Sequence, residues 1–320
     1  MSPPAAARGE RRAGSGPSTV LVTGGAGFIG SVVVRRLREQ GVAVRVADLN
    51  PSRLGVGEEC VVGDLRSAEV LAQALTSDVS AVLHLAAMTS VLESKSRPEE
   101  VFETNVGITA ALLERCRALG VSQLVLASTN AVIGSGLDET GAAAIDEMAP
   151  LRPLTPYGAT KAAGEMLACA YAASYAMTTC SIRFTNVYGP GMAFKDSFVP
   201  RLMRGALSGA KVHIYGGGKQ VRDYLHVSDA VEAMLLAWRD GLCGPLTVGS
   251  GVSTSVLELA DAARAATGRD IDTDHVEPPA GEMPAVVVEI ARARALGFEP
   301  RVTLAEGLAD TWRDFLAREG

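Results

Sequence analysis

Tyr157 and Lys161 stand four residues apart in the run Thr155-Pro156-Tyr157-Gly158-Ala159-Thr160-Lys161. On a helix that spacing puts both side chains on one face. A free tyrosine titrates near pH ~10 and is a poor base at neutrality. An ammonium one turn away stabilises the phenolate and turns the hydroxyl into a usable base. Thr129 lies just past the apolar run Gln123–Ala127, at the edge of a sheet where ligands bind, and its hydroxyl can bridge a substrate oxygen and the phenol. The chemistry these three types support is proton removal from an alcohol. A Tyr–Lys pair at this spacing also arises by chance, with the tyrosine half-buried and the lysine solvated, so its weight depends on what else the chain carries.

The partner of such a base is a hydride acceptor, and the sequence holds a site for one. Gly24-Gly25-Ala26-Gly27-Phe28-Ile29-Gly30 follows the strand-like TVLVT of Thr19–Thr23 and opens a helical pattern. Gly24 permits a tight turn, Gly27 lets a pyrophosphate approach the backbone, and Gly30 lets helix and strand pack closely. The helix N-terminus adds oriented N–H groups. Asp48 ends the second strand, where a carboxylate takes both ribose hydroxyls and repels a 2′-phosphate, which favours NAD over NADP. The other reading of Asp48 is a solvated loop carboxylate. Asp64, in Gly63-Asp64, either accepts from the adenine amino group or is a simple turn residue.

Alternating elements must position these groups. Strand-like runs at Thr19–Thr23, Ala43–Ala47, Cys60–Val62, Ala81–Leu85, Gln123–Ala127 and Thr179–Phe184 are apolar throughout, which fits burial on both faces. Helical patterns lie between them, at Phe28–Gln40, Ser67–Leu75, Pro98–Leu119 and Pro156–Tyr175. The alternation predicts an α/β fold, a doubly wound parallel sheet. Beyond Arg183 glycine and proline become denser, with further helices predicted at Val199–Leu207, Val227–Trp238, Val256–Ala266 and Leu304–Leu316. Ser253 and Thr303 are placed as N-caps for the last two. The division expected is a floppy leader at 1–18, a cofactor domain at 19–185 and a mainly substrate-binding domain at 186–320, with a segment near 224–248 returning to the first.

Composition narrows the class. The 320 residues carry a net charge of −6, with no basic excess for a nucleic-acid backbone. No run of 18 apolar residues exists, so no membrane span is expected. Five scattered cysteines without a C-x-x-C pair, and four dispersed histidines, argue against a disulfide framework or a metal site and for a cytoplasmic setting. His84 reads as a satisfied structural or cofactor-flanking residue, and His226 as a cap or packing residue.

The motifs TGGAGFIG (23–30), GDL (63–65), HLAA (84–87), ETNVGITAALLE (103–114), TPYGATKAAGE (155–165), RFTNVYGPG (183–191), YGGGKQVRDYLHVSDA (215–230) and LGFEP (296–300) occur in one order. Together they resemble the extended short-chain dehydrogenase/reductase family, and most of all its nucleotide-sugar epimerase/dehydratase branch near the 4-epimerases. The resemblance implies a Rossmann-type sheet with a smaller C-terminal α/β domain, NAD as cofactor, and Thr129, Tyr157 and Lys161 as the catalytic triad. It implies cofactor contacts at Gly24, Gly27, Phe28, Ile29, Gly30, Asp48, Asp64, Leu65, Leu85, Ala86 and Ala87, besides Tyr157 and Lys161. Asn105 would support the lysine through an ordered water. Substrate would meet Ser90, Thr129, Tyr157, Asn186, Ser197, Phe198, His213, Tyr215 and Arg222. A homodimer through the helices around 98–119 and 156–176 is implied too, with a UDP-linked sugar as the substrate class.

Departures from the family pattern sort its branches. The 4,6-dehydratases resemble one another in a Thr-Asp-Glu at the catalytic threonine, where this chain has Thr129-Asn130-Ala131. The acid pair that drives loss of water is absent, which leaves oxidation at carbon 4 followed by hydride return, a 4-epimerisation. Pro279 stands where an arginine often grips the diphosphate, Ile133 where a tyrosine is usual, and Val286 where an aromatic residue often narrows the sugar pocket. The small Val286 suggests room for an N-acetyl group. Two alternatives stay open: a dehydrogenase or ketoreductase that exchanges its cofactor, and a non-catalytic NAD-binding regulator on the same fold.

Overall fold

A computed structural model of the chain describes residues 19–54, 59–134, 145–277 and 286–319. The expected leader at 1–18 and the departure at Pro279 lie outside the described residues. The chain divides into two compact units. The first takes the described residues up to Val132, with Leu151–Arg183 and Val231–Leu246. The second takes those within Ile133–Pro150 and Phe184–Ala230, and from Thr247 onward.

The strands are β1 (Thr19–Thr23), β2 (Val44–Asp48), β3 (Cys60–Val62), β4 (Val79–His84), β5 (Gln123–Thr129), β6 (Thr178–Phe184), β7 (Asn186–Tyr188), β8 (Val212–Tyr215), β9 (Val221–His226), β10 (Gly244–Val248), β11 (Ser253–Ser255) and β12 (Thr273–Val276). The helices are α1 (Phe28–Glu39), α2 (Ala68–Ala74), α3 (Val91–Ser96), α4 (Pro98–Phe102), α5 (Ile108–Leu119), α6 (Pro156–Tyr175), α7 (Phe198–Ser208), α8 (Val227–Arg239), α9 (Val256–Thr267), α10 (Ala291–Ala295) and α11 (Leu304–Glu319).

A seven-stranded sheet in the order β10-β6-β5-β4-β1-β2-β3 carries the first unit. β1 runs parallel to both β2 and β4, and β2–β3 and β4–β5 are parallel as well. Its central strands are buried almost end to end because helices cover both faces, as the apolar runs require. Leu21, Val82, Leu112, Leu113 and Leu124 are fully buried between sheet and helices. The strand order reverses between β1 and β4, the switch point at which such sheets open a crevice for a ligand. The glycine loop leaves β1 and the Leu85–Ala87 segment leaves β4, so both border that crevice.

Local chemistry explains most boundaries. Thr155 caps α6 by accepting from the Gly158 amide at 3.1 Å, and Pro156 fills the first turn, where its missing N–H costs nothing. Ser67 caps α2 in the same way. Three expectations are corrected. The single helix over Pro98–Leu119 is instead α4, one π-helical turn at Glu103–Gly107, and α5. Thr129 is the last residue of β5 and not a residue beyond it. The cap of α9 is Ser255, in a reciprocal capping box with Glu258, while Ser253 pairs within β11. Thr303 does accept from the Glu306 amide, at 3.3 Å.

The second unit has a three-stranded sheet, β11-β9-β7, and a parallel pair, β12-β8. Its interior holds Leu202, Met203, Leu225, Val286 and Phe298, each at 1% exposure or less.

Candidate active site

The glycine loop is shaped by what it approaches. Gly24 has φ +69°, left-handed backbone that favours glycine, and a Cβ there would lie 2.6 Å from the Ala86 amide nitrogen. A Cβ on Gly30 would sit 2.1 Å from the Gly24 carbonyl oxygen, so α1 packs onto the loop only as glycine. Gly27 is the N-cap of α1; it offers no side-chain cap, and no acidic residue occupies the first turn. A helix end of this kind suits an anionic group. Asp48 accepts from the Ala26 amide at 2.9 Å and from the Asn50 amide at 3.0 Å, which fixes its carboxylate against the loop with acceptor capacity left. This cradle fits a dinucleotide. Asp64 makes the contacts of its turn: its oxygens bond Arg66, whose guanidinium holds the carboxyl below its ordinary range.

Thr129, Tyr157 and Lys161 come together where β5 ends and α6 begins. Gly158 makes the approach possible, since a Cβ there would be 2.6 Å from the Ala131 carbonyl oxygen. The Thr129 hydroxyl faces the Tyr157 phenol and favours its ionised form. Thr129 Oγ1 also accepts from the Ala131 amide at 3.2 Å and donates to Asn130 Oδ1 at 3.3 Å. Lys161 is buried and donates to the Ala127 carbonyl at 2.9 Å. Burial pulls its ammonium down to about 8, against the opposing pull of Glu165. Burial pushes the Tyr157 phenol up to about 12, and the Thr129 hydroxyl only partly offsets it. Within the chain itself desolvation is the larger influence on the phenol, while the Lys161 ammonium donates to a backbone carbonyl; the expected depression counted the positive nicotinamide ring as well.

Asn105 sits in the π turn at 3% exposure. Its Oδ1 accepts from the Met88 amide at 2.8 Å, and its Nδ2 donates to the Met88 carbonyl and to Thr160 Oγ1, each at 3.0 Å. It thus grips α6 beside Lys161. Single π turns occur preferentially at functional sites. Ser90 uses its oxygen to cap α3.

One group at this centre escaped sequence reasoning. Glu165 lies one turn beyond Lys161, buried and bonded to Ser128 and Arg183. Its signal was a carboxylate inside the otherwise apolar Ala162–Ala168 stretch. His84, read from the sequence as a satisfied structural or cofactor-flanking residue, bonds Thr23 and Thr109 through its two ring nitrogens.

Residues 20–245 match the family model described as the NAD dependent epimerase/dehydratase family. The chain belongs to that family. A UDP-glucose 4-epimerase of Streptomyces lividans is 35% identical over 318 residues, covering 91% of this chain and 94% of the relative. A dTDP-glucose 4,6-dehydratase of Streptomyces griseus is 35% identical over 309 residues, covering 91% and 92%. The crystal structure of Thermus thermophilus UDP-glucose 4-epimerase with NAD superposes at a TM-score of 0.88 and 34% identity, over 93% of this chain and 99% of that one.

In this member of the epimerase/dehydratase family the expected substrate residues other than Ser90, Thr129 and Tyr157 lie in the second unit. Asn186 is exposed at the start of β7 and donates to the Asp223 carbonyl at 3.0 Å, next to Arg222 on the paired strand β9. Ser197 is exposed as the N-cap of α7 without a capping bond, and Phe198 begins that helix half-buried. His213 is engaged by Asp274, its register partner across β8 and β12, and Tyr215 by Arg201. Val286 is buried at 1% exposure with its amide on the Val221 carbonyl.

Proposed function

We propose that the protein is an NAD-dependent nucleotide-sugar 4-epimerase acting on UDP-linked sugars. The observation that carries this reading is the meeting of the Tyr157 phenol and the Thr129 hydroxyl at the end of β5, with Lys161 one helical turn on and no carboxylate in the two residues after Thr129. NAD, held along Gly24–Gly30 and Asp48, supplies reversible hydride acceptance at the sugar carbon. Tyr157 Oη takes the proton of the carbon-4 hydroxyl and gives it back when the alcohol re-forms. Thr129 Oγ1 holds the same oxygen and the phenol in line. Lys161 Nζ keeps a positive charge beside the phenolate, its direction set by the Ala127 carbonyl. Loss of water would need an acid and a base at neighbouring carbons, and Asn130 and Ala131 offer neither.

The relatives named as UDP-glucose 4-epimerases support the substrate class. As candidate substrate contacts we assign Ser90 and, within the second unit, Asn186, Arg222, Ser197 and Phe198, the last two at the start of α7, where no side chain caps the helix. His213 and Tyr215, on β8, are further candidate substrate contacts. A homodimer is supported by exposed apolar residues on the helices expected to pair, Phe102 at 57% and Met166 at 65%. Five free cysteines accord with a reducing cytoplasm.

The test is a proton-NMR time course of the purified protein with UDP-glucose, UDP-galactose and their N-acetyl forms, without added cofactor. Interconversion at carbon 4 is expected. Turnover that needs external NAD and changes absorbance near ~340 nm would replace this reading with a dehydrogenase.

A further inference from the structure

A chain of buried hydrogen bonds joins the cofactor-side loops to the backbone of Tyr157. The Ala86 amide donates to Thr23 Oγ1 at 3.3 Å, and Thr23 Oγ1 meets His84 Nδ1 at 2.7 Å. His84 Nε2 meets Thr109 Oγ1 at 3.1 Å, and that hydroxyl donates to the Asn105 carbonyl at 2.6 Å. Asn105 Nδ2 donates to Thr160 Oγ1 at 3.0 Å, and Thr160 Oγ1 donates to the Tyr157 carbonyl at 2.8 Å. Thr23, His84, Thr109, Asn105 and Thr160 are all buried, at 0 to 5% exposure.

The two carbonyls fix the direction of every proton. A carbonyl only accepts, so the single hydroxyl proton of Thr109 is committed to Asn105 and its oxygen can only accept from His84. The ring must therefore carry its proton on Nε2. A ring that is neutral then leaves Nδ1 to accept from Thr23, whose oxygen takes the Ala86 amide. The other tautomer would set a bare Nε2 against the Thr109 oxygen and leave the Thr23 hydroxyl proton without the ring as acceptor, which burial penalises. Burial pushes the imidazolium down to about 3, and Lys161, the charged group facing the ring, acts in the same direction.

We propose that His84 is a positioning residue: a neutral imidazole, protonated on Nε2, that locks the ends of β1 and β4 to Asn105 and through it to α6 at Tyr157. The proposal rests on reading Tyr157 as the base. Its consequence is that the loops bordering the cofactor crevice and the backbone under the base move as one body. A purely space-filling histidine would have no preferred tautomer and would be replaceable by any ring of similar size.

The test uses the full chain as purified, with its histidines labelled with nitrogen-15. The His84 ring signals, identified by their loss in His84→Gln, are expected to report the neutral Nε2–H form throughout about pH 5.5 to 9. His84→Phe keeps the ring's bulk and removes both nitrogens; kcat for the sugar is expected to fall about tenfold with KM unchanged, the size of one or two lost buried hydrogen bonds. His84→Gln places an amide donor where Nε2 stood and is expected to recover kcat to within about threefold of wild type. If His84→Phe does not fold, Thr109→Val breaks the same link with His84 in place and is expected to lower kcat comparably. An Nδ1–H ring, a charged ring in that range, or wild-type kcat in folded His84→Phe or Thr109→Val would overturn the proposal. Should the chain epimerise no sugar at all, the reading of Tyr157 fails, while the tautomer still decides the wiring of His84.

Discussion

Glu165 and Arg183 form an ion pair sealed from water, with side-chain exposures of 6% and 4%. Arg183 Nη2 reaches Glu165 Oε2 at 2.8 Å, and Nε reaches the two oxygens at 3.0 and 3.2 Å. Ser128 donates to the same carboxylate from the residue between Ala127, which holds Lys161, and Thr129. Three rungs therefore join α6 to the end of β5, at Tyr157, Lys161 and Glu165.

Truncating one member of this pair leaves a buried charge without compensation. Glu165→Ala is expected to lower unfolding stability by about 3–5 kcal/mol, read as a urea midpoint shift at constant slope. The double replacement Glu165→Met with Arg183→Met removes both charges together and is expected to be close to neutral in stability. Its turnover should still fall, because Lys161 loses the charge that opposes its desolvation. A double variant as unstable as the single one would mean that the pair is not the source of the effect.

Gly158 sets how closely the base meets its partner. With a Cβ 2.6 Å from the Ala131 carbonyl, Gly158→Ala must push the start of α6 away from the segment after Thr129. Displacements near 1 Å at a catalytic group cost about a hundredfold in rate. The variant is expected to lose kcat by ten- to a hundredfold while still purifying with bound cofactor, measured by turnover alongside the nicotinamide content of the denatured protein. Wild-type kcat in a folded variant would show that the contact relaxes elsewhere.

Tyr157→Phe removes the only atom assigned to proton transfer and leaves the ring that fills its place. Turnover is expected to disappear, with cofactor content and unfolding midpoint near wild type. Thr129→Val should be milder, about a hundredfold down in kcat, since it deletes a hydrogen-bond donor and not the base.

The sequence carried the sheet because continuous apolar runs such as Val20–Val22 have only one stable setting, covered on both faces. It carried the glycine loop and the Tyr157–Lys161 face because spacing is itself the geometry there. It missed the π turn at Glu103–Gly107, since a change from i→i+4 to i→i+5 bonding leaves no mark on side-chain periodicity. The engagement of His213 by Asp274 arises from strand register across 61 residues, which no local pattern records. The upward shift at Tyr157 is a sum over everything packed around it, whereas the sequence displayed only the favourable neighbour four residues away.

Lys161 gives the site a pH signature with a definite sign. Its folded value of about 8 lies below the ordinary 10.5. Between those values the unfolded chain binds more protons than the folded one, so stability rises with pH across about 8 to 10.5 and is lost as pH falls through that window. Tyr157 acts oppositely: raised from 10 to about 12, it makes stability fall as pH climbs through that higher window. Lys161→Met should flatten the lower rise, by at most on the order of 3 kcal/mol, in urea titrations run from pH ~7 to ~10.5. The same deprotonation removes the charge beside the phenolate, so kcat is expected to decline above about pH 8 although the tyrosine alone would favour higher pH. A kcat that keeps rising through that region would mean the ammonium does not serve the base.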